Sequence, residues 1–220
     1  MTNDSDELWL RQEIIDTALA LSRDGLSPGT SGNVSARLGD GMLITPTGMS
    51  YNDLIPEDIV FIDDNGTSPT GVKKPSSEWR FHFSAYAACE NARAIVHAHS
   101  RFATALACAH KPIPAFHYMV AVAGGDDIPL ADYATFGTTE LADAVASALK
   151  DRKACLMANH GQIACGGSLE AALALAHEVE TLAAQYVAVL QIGKPHILGD
   201  EEMSRVLKRF ESYGQQDKSE

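Results

Sequence analysis

Eight histidines punctuate the 220 residues, and three of them stand where chelation is possible. His97 and His99 lie two residues apart in the apolar run AIVHAH. If that run is a strand, its period of two turns both imidazoles to the same face of a sheet. His160 follows the apolar run ACLMA, in Asn159-His160-Gly161, where a sheet end would present its ring beside the first pair. Three neutral imidazoles suit a divalent ion such as zinc and leave a fourth position for water or substrate, the arrangement of a catalytic site. A lone H-x-H pair arises often by chance, so the third histidine gives the pattern its weight. His82, His110, His117, His177 and His196 fall on expected helix faces or in loops and have simpler structural readings.

Glu78 stands in Pro75-Ser76-Ser77-Glu78-Trp79, in the expected first turn of a helix, where a carboxylate favours the helix dipole. Beside a metal and apolar side chains the same group could ligate the ion or exchange a proton with carbon next to a carbonyl. Residue types alone leave both roles open.

Three small-residue segments could cradle a phosphate. Gly29-Thr30-Ser31-Gly32-Asn33 offers clustered N–H groups, hydroxyls and an amide, the materials of an anion nest. Thr45-Pro46-Thr47-Gly48 is a second tight turn with hydroxyls. Ser76 and Ser77 precede a helix, whose N-terminus attracts phosphate. Most Gly/Ser/Thr loops are only turns; three in one chain beside a metal candidate favour a phosphate pocket. Neither G-x-x-x-x-G-K-[ST] nor G-x-G-x-x-G occurs, which argues against the familiar nucleotide loops, and no G-x-S-x-G nucleophile elbow is present.

The elements that must position these groups are legible from periodicity. Leu8, Leu10, Ile14, Ile15, Ala18 and Leu21 predict an amphipathic helix over 6–24, ending near Gly25. Strands are expected at Asn33 to Arg37, Met42 to Thr45 and Ile59 to Ile62, with turns at Gly39-Asp40-Gly41 and Asp64-Asn65-Gly66. Ser76 or Ser77 is expected to cap a helix running to about Cys89. A buried strand from Ala94 to His99 and a helix through Ala109 follow. Beyond the Pro-flanked stretch 112–130, helices are expected over 138–149, 168–191 and Asp200 to Tyr213, and strands over Ala154 to Ala158 and Gln162 to Cys165. Without strict βαβ alternation, the reading is α/β or α+β with a partly antiparallel sheet. No repeat, linker or boundary interrupts residues 1–220, read as one domain with a polar tail after about 214.

Composition narrows the partners. At 45% apolar and 21% charged the chain is of ordinary globular type. A formal charge of −12, from 17 Lys plus Arg against 29 Asp plus Glu, disfavours nucleic acid and anionic membrane, while a few local donors can still hold one small phosphate. Cys89, Cys108, Cys155 and Cys165 form no C-x-x-C pair and read as buried reduced thiols. The acidic N-terminus MTNDSDELWL lacks the basic and apolar regions of a signal peptide, and no apolar run nears the ~20 residues that span a bilayer, so the cytoplasm is the expected location.

Taken in order, GTSGNVSAR (29–37), ITPTG (44–48), KPSSEWRFH (74–82), VHAHS (96–100), PAFHYM (114–119), YATFGT (133–138) and ANHG (158–161) resemble the class II aldolase/adducin-head family over roughly residues 8–214. The likeness is greatest to members that cleave L-fuculose 1-phosphate. It implies a three-layer α/β/α fold with a largely antiparallel sheet, and a C4 homotetramer with sites between subunits. His97, His99 and His160 would bind zinc, with manganese or cobalt as alternatives, and Glu78 would be the acid/base that also ligates the ion when substrate is absent. Gly32, Asn33, Thr47, Gly48, Ser76 and Ser77 would cradle the phosphate. Tyr118 resembles a tyrosine that enters the neighbouring subunit's site as a proton donor, Tyr213 one carried on the C-terminal tail, and Phe136 an apolar wall. The implied reaction is reversible cleavage of a ketose 1-phosphate, such as L-fuculose 1-phosphate or ribulose 1-phosphate, to dihydroxyacetone phosphate and an aldehyde. Sugar-phosphate epimerases, decarboxylases and dehydratases share the scaffold. The epimerases typically carry Asp where Glu78 stands, and non-enzymatic adducin heads have generally lost the metal histidines retained here.

Overall fold

The computed structural model describes residues 4–69 and 73–211. Seven strands, β1 (Asn33–Leu38), β2 (Gly41–Ile44), β3 (Val60–Ile62), β4 (Ala94–Ala98), β5 (Leu130–Ala131), β6 (Ala154–Met157) and β7 (Gly161–Gly166), form one sheet in the order β3-β2-β1-β4-β7-β6-β5. Every pairing is antiparallel except β5 with β6. The largely antiparallel expectation therefore holds. The two-residue β5 was not anticipated, because a segment that short carries no periodicity.

Helices cover both faces, which is why the strands read as apolar runs rather than as alternating patterns. On one face α1 (Asp4–Arg23), α3 (Arg101–Cys108) and α5 (Leu169–Ile192) pack Ile14, Leu21, Leu106, Leu175 and Val179 onto Val34, Val96, Leu156 and Ala164 of the sheet. On the other, α2 (Trp79–Ala88) and α4 (Thr139–Ala148) bring Phe81, Tyr86, Leu141 and Val145 against Ile44, Ile95, Met157 and Ile163. The result is the expected three layers. A final helix, α6 (Asp200–Phe210), closes a small third cluster through Met203, Ala115 and Ala121, next to a 3-10 segment over Tyr118–Ala123. Among the described residues no helix is long and apolar enough to cross a membrane.

Sheet register does the positioning. Val96 and Ala98 face the α1/α3/α5 layer while Ile95 faces α2 and α4, so period two sends His97 and His99 to the α2 side. In β1 the same alternation buries Val34 and Ala36 on the first side and turns Asn33 and Ser35 to the second. Asn33 pairs with His97, and Ala98 with Gln162. The strand ends of β1, β4 and β7 therefore meet at one edge of the α2 layer.

Two local expectations are corrected. Helix α2 begins at Trp79 with Glu78 at its N-cap, so neither Ser76 nor Ser77 caps it; the Ser76 hydroxyl instead accepts from the Glu78 N–H at 3.3 Å. Of the four cysteines, Cys155 and Cys165 are buried, but Cys89 is half-buried and Cys108 exposed, on the outward end of α3; all four are free thiols.

The turn between β4 and α3 is held by a distant carboxylate. Ser100 occupies the N-cap of α3, yet its hydroxyl accepts from Gln162 Nε2 at 2.7 Å and makes no cap. Glu180 of α5 supplies the missing acceptors, with Phe102 N–H and Ala103 N–H donating to its two oxygens at 2.8 and 2.9 Å. A carboxylate on unpaired first-turn N–H groups also complements the helix dipole. Glu180→Ala is expected to lower stability by about 1–2 kcal/mol, seen as a lower urea midpoint at unchanged slope; an unchanged midpoint would show that the cap is dispensable.

Candidate active site

Three imidazoles from two segments converge where the strand ends meet. The His97 and His99 Nε2 atoms are 3.0 Å apart, and the three ring centroids of His97, His99 and His160 are separated by 4.8, 4.8 and 4.9 Å with planes crossing at 72–77°. One nitrogen from each lies within 4.8 Å of the others. Metal bonds of about 2.0–2.1 Å at tetrahedral angles would place ligand nitrogens roughly 3.3 Å apart. The donor set therefore fits a small divalent ion with little movement.

The rings are set in the form that binding requires. His97 is fully buried, and its Nδ1–H donates to the Gln162 carbonyl at 2.8 Å, which leaves the Nε2 lone pair facing inward. Burial holds His97 well below the ordinary imidazole range; the neighbouring imidazoles press the same way, and Glu78 opposes them. His99 is lowered too, by burial and then by His160. Neutral rings are the ligating form.

His160 reaches the group because the β6–β7 connection is tight. Met157 pairs directly with Gly161, so three residues make the turn, with His160 N–H donating to the Met157 carbonyl at 3.0 Å. Asn159 takes the left-handed conformation there at φ 55°, which Asn tolerates better than most residues. Gly161 is demanded by contact: a Cβ would collide with the Ala98 carbonyl oxygen and come within 3.1 Å of the His99 ring.

Glu78 completes the cluster. Its Oε1 is 3.0 Å from His160 Nε2 and its Oε2 is 3.4 Å from His97 Nε2. The carboxylate makes no bond to its own helix; it turns to the imidazoles, so helix capping is not its role. Burial by itself raises the Glu78 carboxyl, but His97, His160 and the Asn33 amide outweigh it and hold the group below the usual carboxylate range. A buried carboxylate within reach of two of the three imidazoles can complete a metal sphere or carry a proton.

The three small-residue segments lie side by side next to this cluster. Val34 and Thr45 exchange backbone and hydroxyl bonds at 3.1 and 3.2 Å. Thr47 N–H donates to Lys74 O, and Ser76 N–H to Thr45 O, at 3.1 and 3.0 Å. Gly32, Thr47, Gly48, Ser76 and Ser77 thus fall on neighbouring strips, with Thr47, Gly48 and Ser77 exposed. Gly32 has φ +90°, and a Cβ there would press within 2.7 Å of the His97 carbonyl oxygen. Asn33 differs from the rest: its side chain turns inward, where Nδ2 donates to Glu78 Oε2 at 2.8 Å.

Tyr118 and Phe136 are 48% and 66% exposed, and the structure does not bring either to the imidazole cluster. Tyr213 lies outside the described residues. Residues that periodicity could not single out also serve the site. Gln162 orients His97 and Ser100, and buried Tyr51 donates its hydroxyl to the Gly32 carbonyl at 2.6 Å. Their roles follow from register and from long-range packing. Only Tyr51, a large polar-tipped residue at a loop edge, offered a faint signal.

Gly161→Ala is expected to weaken the binding of an added divalent metal ion at least tenfold while far-UV circular dichroism stays native. Competition with a chromophoric chelator measures it, and wild-type affinity would contradict the close-approach argument.

Comparison with known proteins agrees with this geometry. The family described as Class II Aldolase and Adducin N-terminal domain matches residues 12–187. A Rhodospirillum rubrum relative named 5-methylthioribulose-1-phosphate/5-deoxyribulose-1-phosphate aldolase is 55% identical over 205 residues, 93% of this chain and 92% of its own. An L-fuculose phosphate aldolase of Escherichia coli K12 is 55% identical over 206 residues, covering 93% and 95%. A solved structure of an L-fuculose 1-phosphate aldolase superposes with a TM-score of 0.89 at 40% identity, covering 96% and 98%. With its three imidazoles and carboxylate gathered at one sheet end, the chain belongs to the class II aldolase family.

Proposed function

We propose that this protein is a zinc-dependent aldehyde-lyase that reversibly cleaves a ketose 1-phosphate between C3 and C4, giving dihydroxyacetone phosphate and an aldehyde. L-Fuculose 1-phosphate and 5-substituted ribulose 1-phosphates are the candidate substrates, since equally similar relatives carry names from both groups. The carrying observation is Glu78, a buried carboxylate within 3.0–3.4 Å of two of the three converging imidazoles.

His97, His99 and His160 would hold the ion, zinc by preference and manganese or cobalt by the same donor chemistry, with Glu78 a fourth ligand in the absence of substrate; the bound ion would supply Lewis-acid stabilisation of the charge that builds on substrate oxygens. In this reading Gly32, Gly48 and Ser77 and the hydroxyls of Thr47 and Ser76 hold the phosphate, the N–H groups of those last two being paired already. Asn33 lines the same edge without a donor to spare, its amide engaged with Glu78 and its main chain paired with His97. The proton of the C4 hydroxyl leaves by way of Tyr118 of an adjoining subunit to solvent, and Glu78, having taken up a proton from solvent, delivers it to C3 once the carbon–carbon bond has broken, so no proton is gained or lost overall. Phe136 walls the aldehyde end, and Tyr213, outside the described residues, is assigned a catalytic part by the family resemblance alone. The assembly is a homotetramer with sites between subunits, which accounts for Tyr118 and Phe136 being exposed in one chain.

The candidate substrates share the half that carries phosphate and C1–C3 and differ only beyond C4. The buried machinery reads the shared half, so substrate choice falls to the exposed aromatics and the tail. A methyl or methylene difference in an apolar wall is worth only about 1–3 kcal/mol, which suits a family whose near relatives bear different substrate names.

Incubating the metal-replete protein with L-fuculose 1-phosphate and with 5-deoxyribulose 1-phosphate, and detecting dihydroxyacetone phosphate with a coupled dehydrogenase, tests the reading. Full activity after exhaustive chelation, or no cleavage of either sugar, would overturn it. Glu78→Gln is expected to slow exchange of the dihydroxyacetone phosphate C–H proton by about 10²–10⁴-fold while most of the metal is retained; unchanged exchange would remove Glu78 from the proton-transfer role.

A further inference from the structure

Behind Glu78 runs a chain of buried polar groups that neither the metal nor the phosphate needs. Asn33 Nδ2 meets Glu78 Oε2 at 2.8 Å, and Asn33 Oδ1 meets His82 Nε2. His82 Nδ1 meets the Ser35 hydroxyl at 2.7 Å, which meets the Tyr86 hydroxyl at 3.0 Å. All four outer members are almost without solvent contact: Asn33 4%, His82 0%, Ser35 0% and Tyr86 2% exposed. Such groups are retained only when each finds its partner.

The direction of every bond follows from the orientation of the Asn33 amide. Its Nδ2 faces Glu78 Oε2 and donates to it, and its carbonyl oxygen faces His82. That oxygen can only accept, so His82 Nε2 carries the hydrogen. His82 is sealed from water with no acid in contact, and burial keeps it neutral, so Nδ1 is bare and accepts from Ser35. The Ser35 oxygen then accepts from Tyr86. Turning the Asn33 amide over would set its oxygen against the Glu78 carboxylate, acceptor against acceptor, and would require the other His82 tautomer.

We propose that His82 is a positioning residue for Glu78: as the Nε2–H tautomer, set by Ser35 and Tyr86, it locks the Asn33 amide in the orientation that donates to Glu78 Oε2. With Oε2 occupied, Oε1 is left to take and return the exchanged proton, and it is the oxygen nearer His160. This rests on the acid/base reading of Glu78. The relay itself is a statement about hydrogen positions and can be read without activity.

Two measurements test it. In protein labelled with ¹⁵N in the imidazole rings, the His82 resonances, assigned by their loss in His82→Gln, should show a protonated Nε2 and a bare Nδ1. A protonated Nδ1 or an imidazolium would overturn the relay. In kinetics, Gln keeps a donor at the Nε2 position and Asn does not, so His82→Gln should hold kcat within about threefold of wild type while His82→Asn loses roughly 10–100-fold, with KM and metal content unchanged in both. Ser35→Ala, a small change that leaves Nδ1 without its donor, should lower kcat several-fold at unchanged KM and serves if His82→Asn does not fold. Wild-type kcat in His82→Asn or in Ser35→Ala would defeat the proposal. An inactive wild type with the expected tautomer would instead defeat the aldolase reading and leave the relay standing.

Discussion

Three nitrogen lone pairs and a carboxylate aimed at one small volume repel one another, and a flexible chain would scatter them. That they converge here reflects backbone constraint from several sides. His97 is fixed by the Gln162 carbonyl. His99 follows it by strand period, and His160 is held by a three-residue turn between paired strands. Glu78 is anchored by Asn33. The unfavourable crowding of donors is sustained by a core that buries both faces of the sheet. Such a site is strained until a cation, or a set of protons, neutralises it, and the scaffold has to be rigid for that reason.

Rigidity comes from antiparallel pairing of segments distant in sequence. β1, β4 and β7 are neighbours although more than fifty residues separate the first from the second and more than sixty the second from the third. Each contributes one functional end: Gly32 and Asn33 at the opening of β1, His97 and His99 at the close of β4, Gly161 and Gln162 at the opening of β7. The two glycines permit the close approaches. A side chain at Gly32 would strike the His97 backbone, and one at Gly161 would strike Ala98. Helix α5 secures the far side, with Glu180 on the first turn of α3 and the Ala176 carbonyl accepting from Gln162.

Much of this was legible in the residues, and the limits have physical causes. The H-x-H pair could be placed on one face because strand period depends on local geometry alone. Helices α1, α4 and α5 were found near their observed ends for the same reason. Glu78 was undecidable between cap and catalyst, since both roles use a carboxylate at a helix start; the choice depends on a side-chain direction set by His97, His160 and Asn33. His82 read as an ordinary helix-face histidine, and its partners Asn33 and Ser35 lie 49 and 47 residues away, so no local pattern reports their meeting. Gln162 was equally silent. Strand β5 was missed because two residues cannot display a period. The role of Tyr213 falls outside the described residues.

An acidic chain handling an anionic sugar phosphate must solve a local problem against its own field. With a formal charge of −12, long-range steering works against substrate capture, and at physiological ionic strength that field is screened beyond about 8 Å. What remains is short-range. In the proposed pocket the donors are backbone N–H groups and hydroxyls on three adjacent strips, not a lysine or arginine cluster, and a nest of amides holds one phosphoryl group without requiring a basic surface. Under the same reading the bound dication is the largest positive charge near the substrate. Metal loading and phosphate affinity would then be coupled electrostatically, and the neutral donors around Gly32, Thr47 and Ser76 would set geometry more than strength. The arrangement separates the two tasks: the strips define where the phosphate end lies, and the imidazole triad with Glu78 defines where charge can build when the carbon–carbon bond breaks.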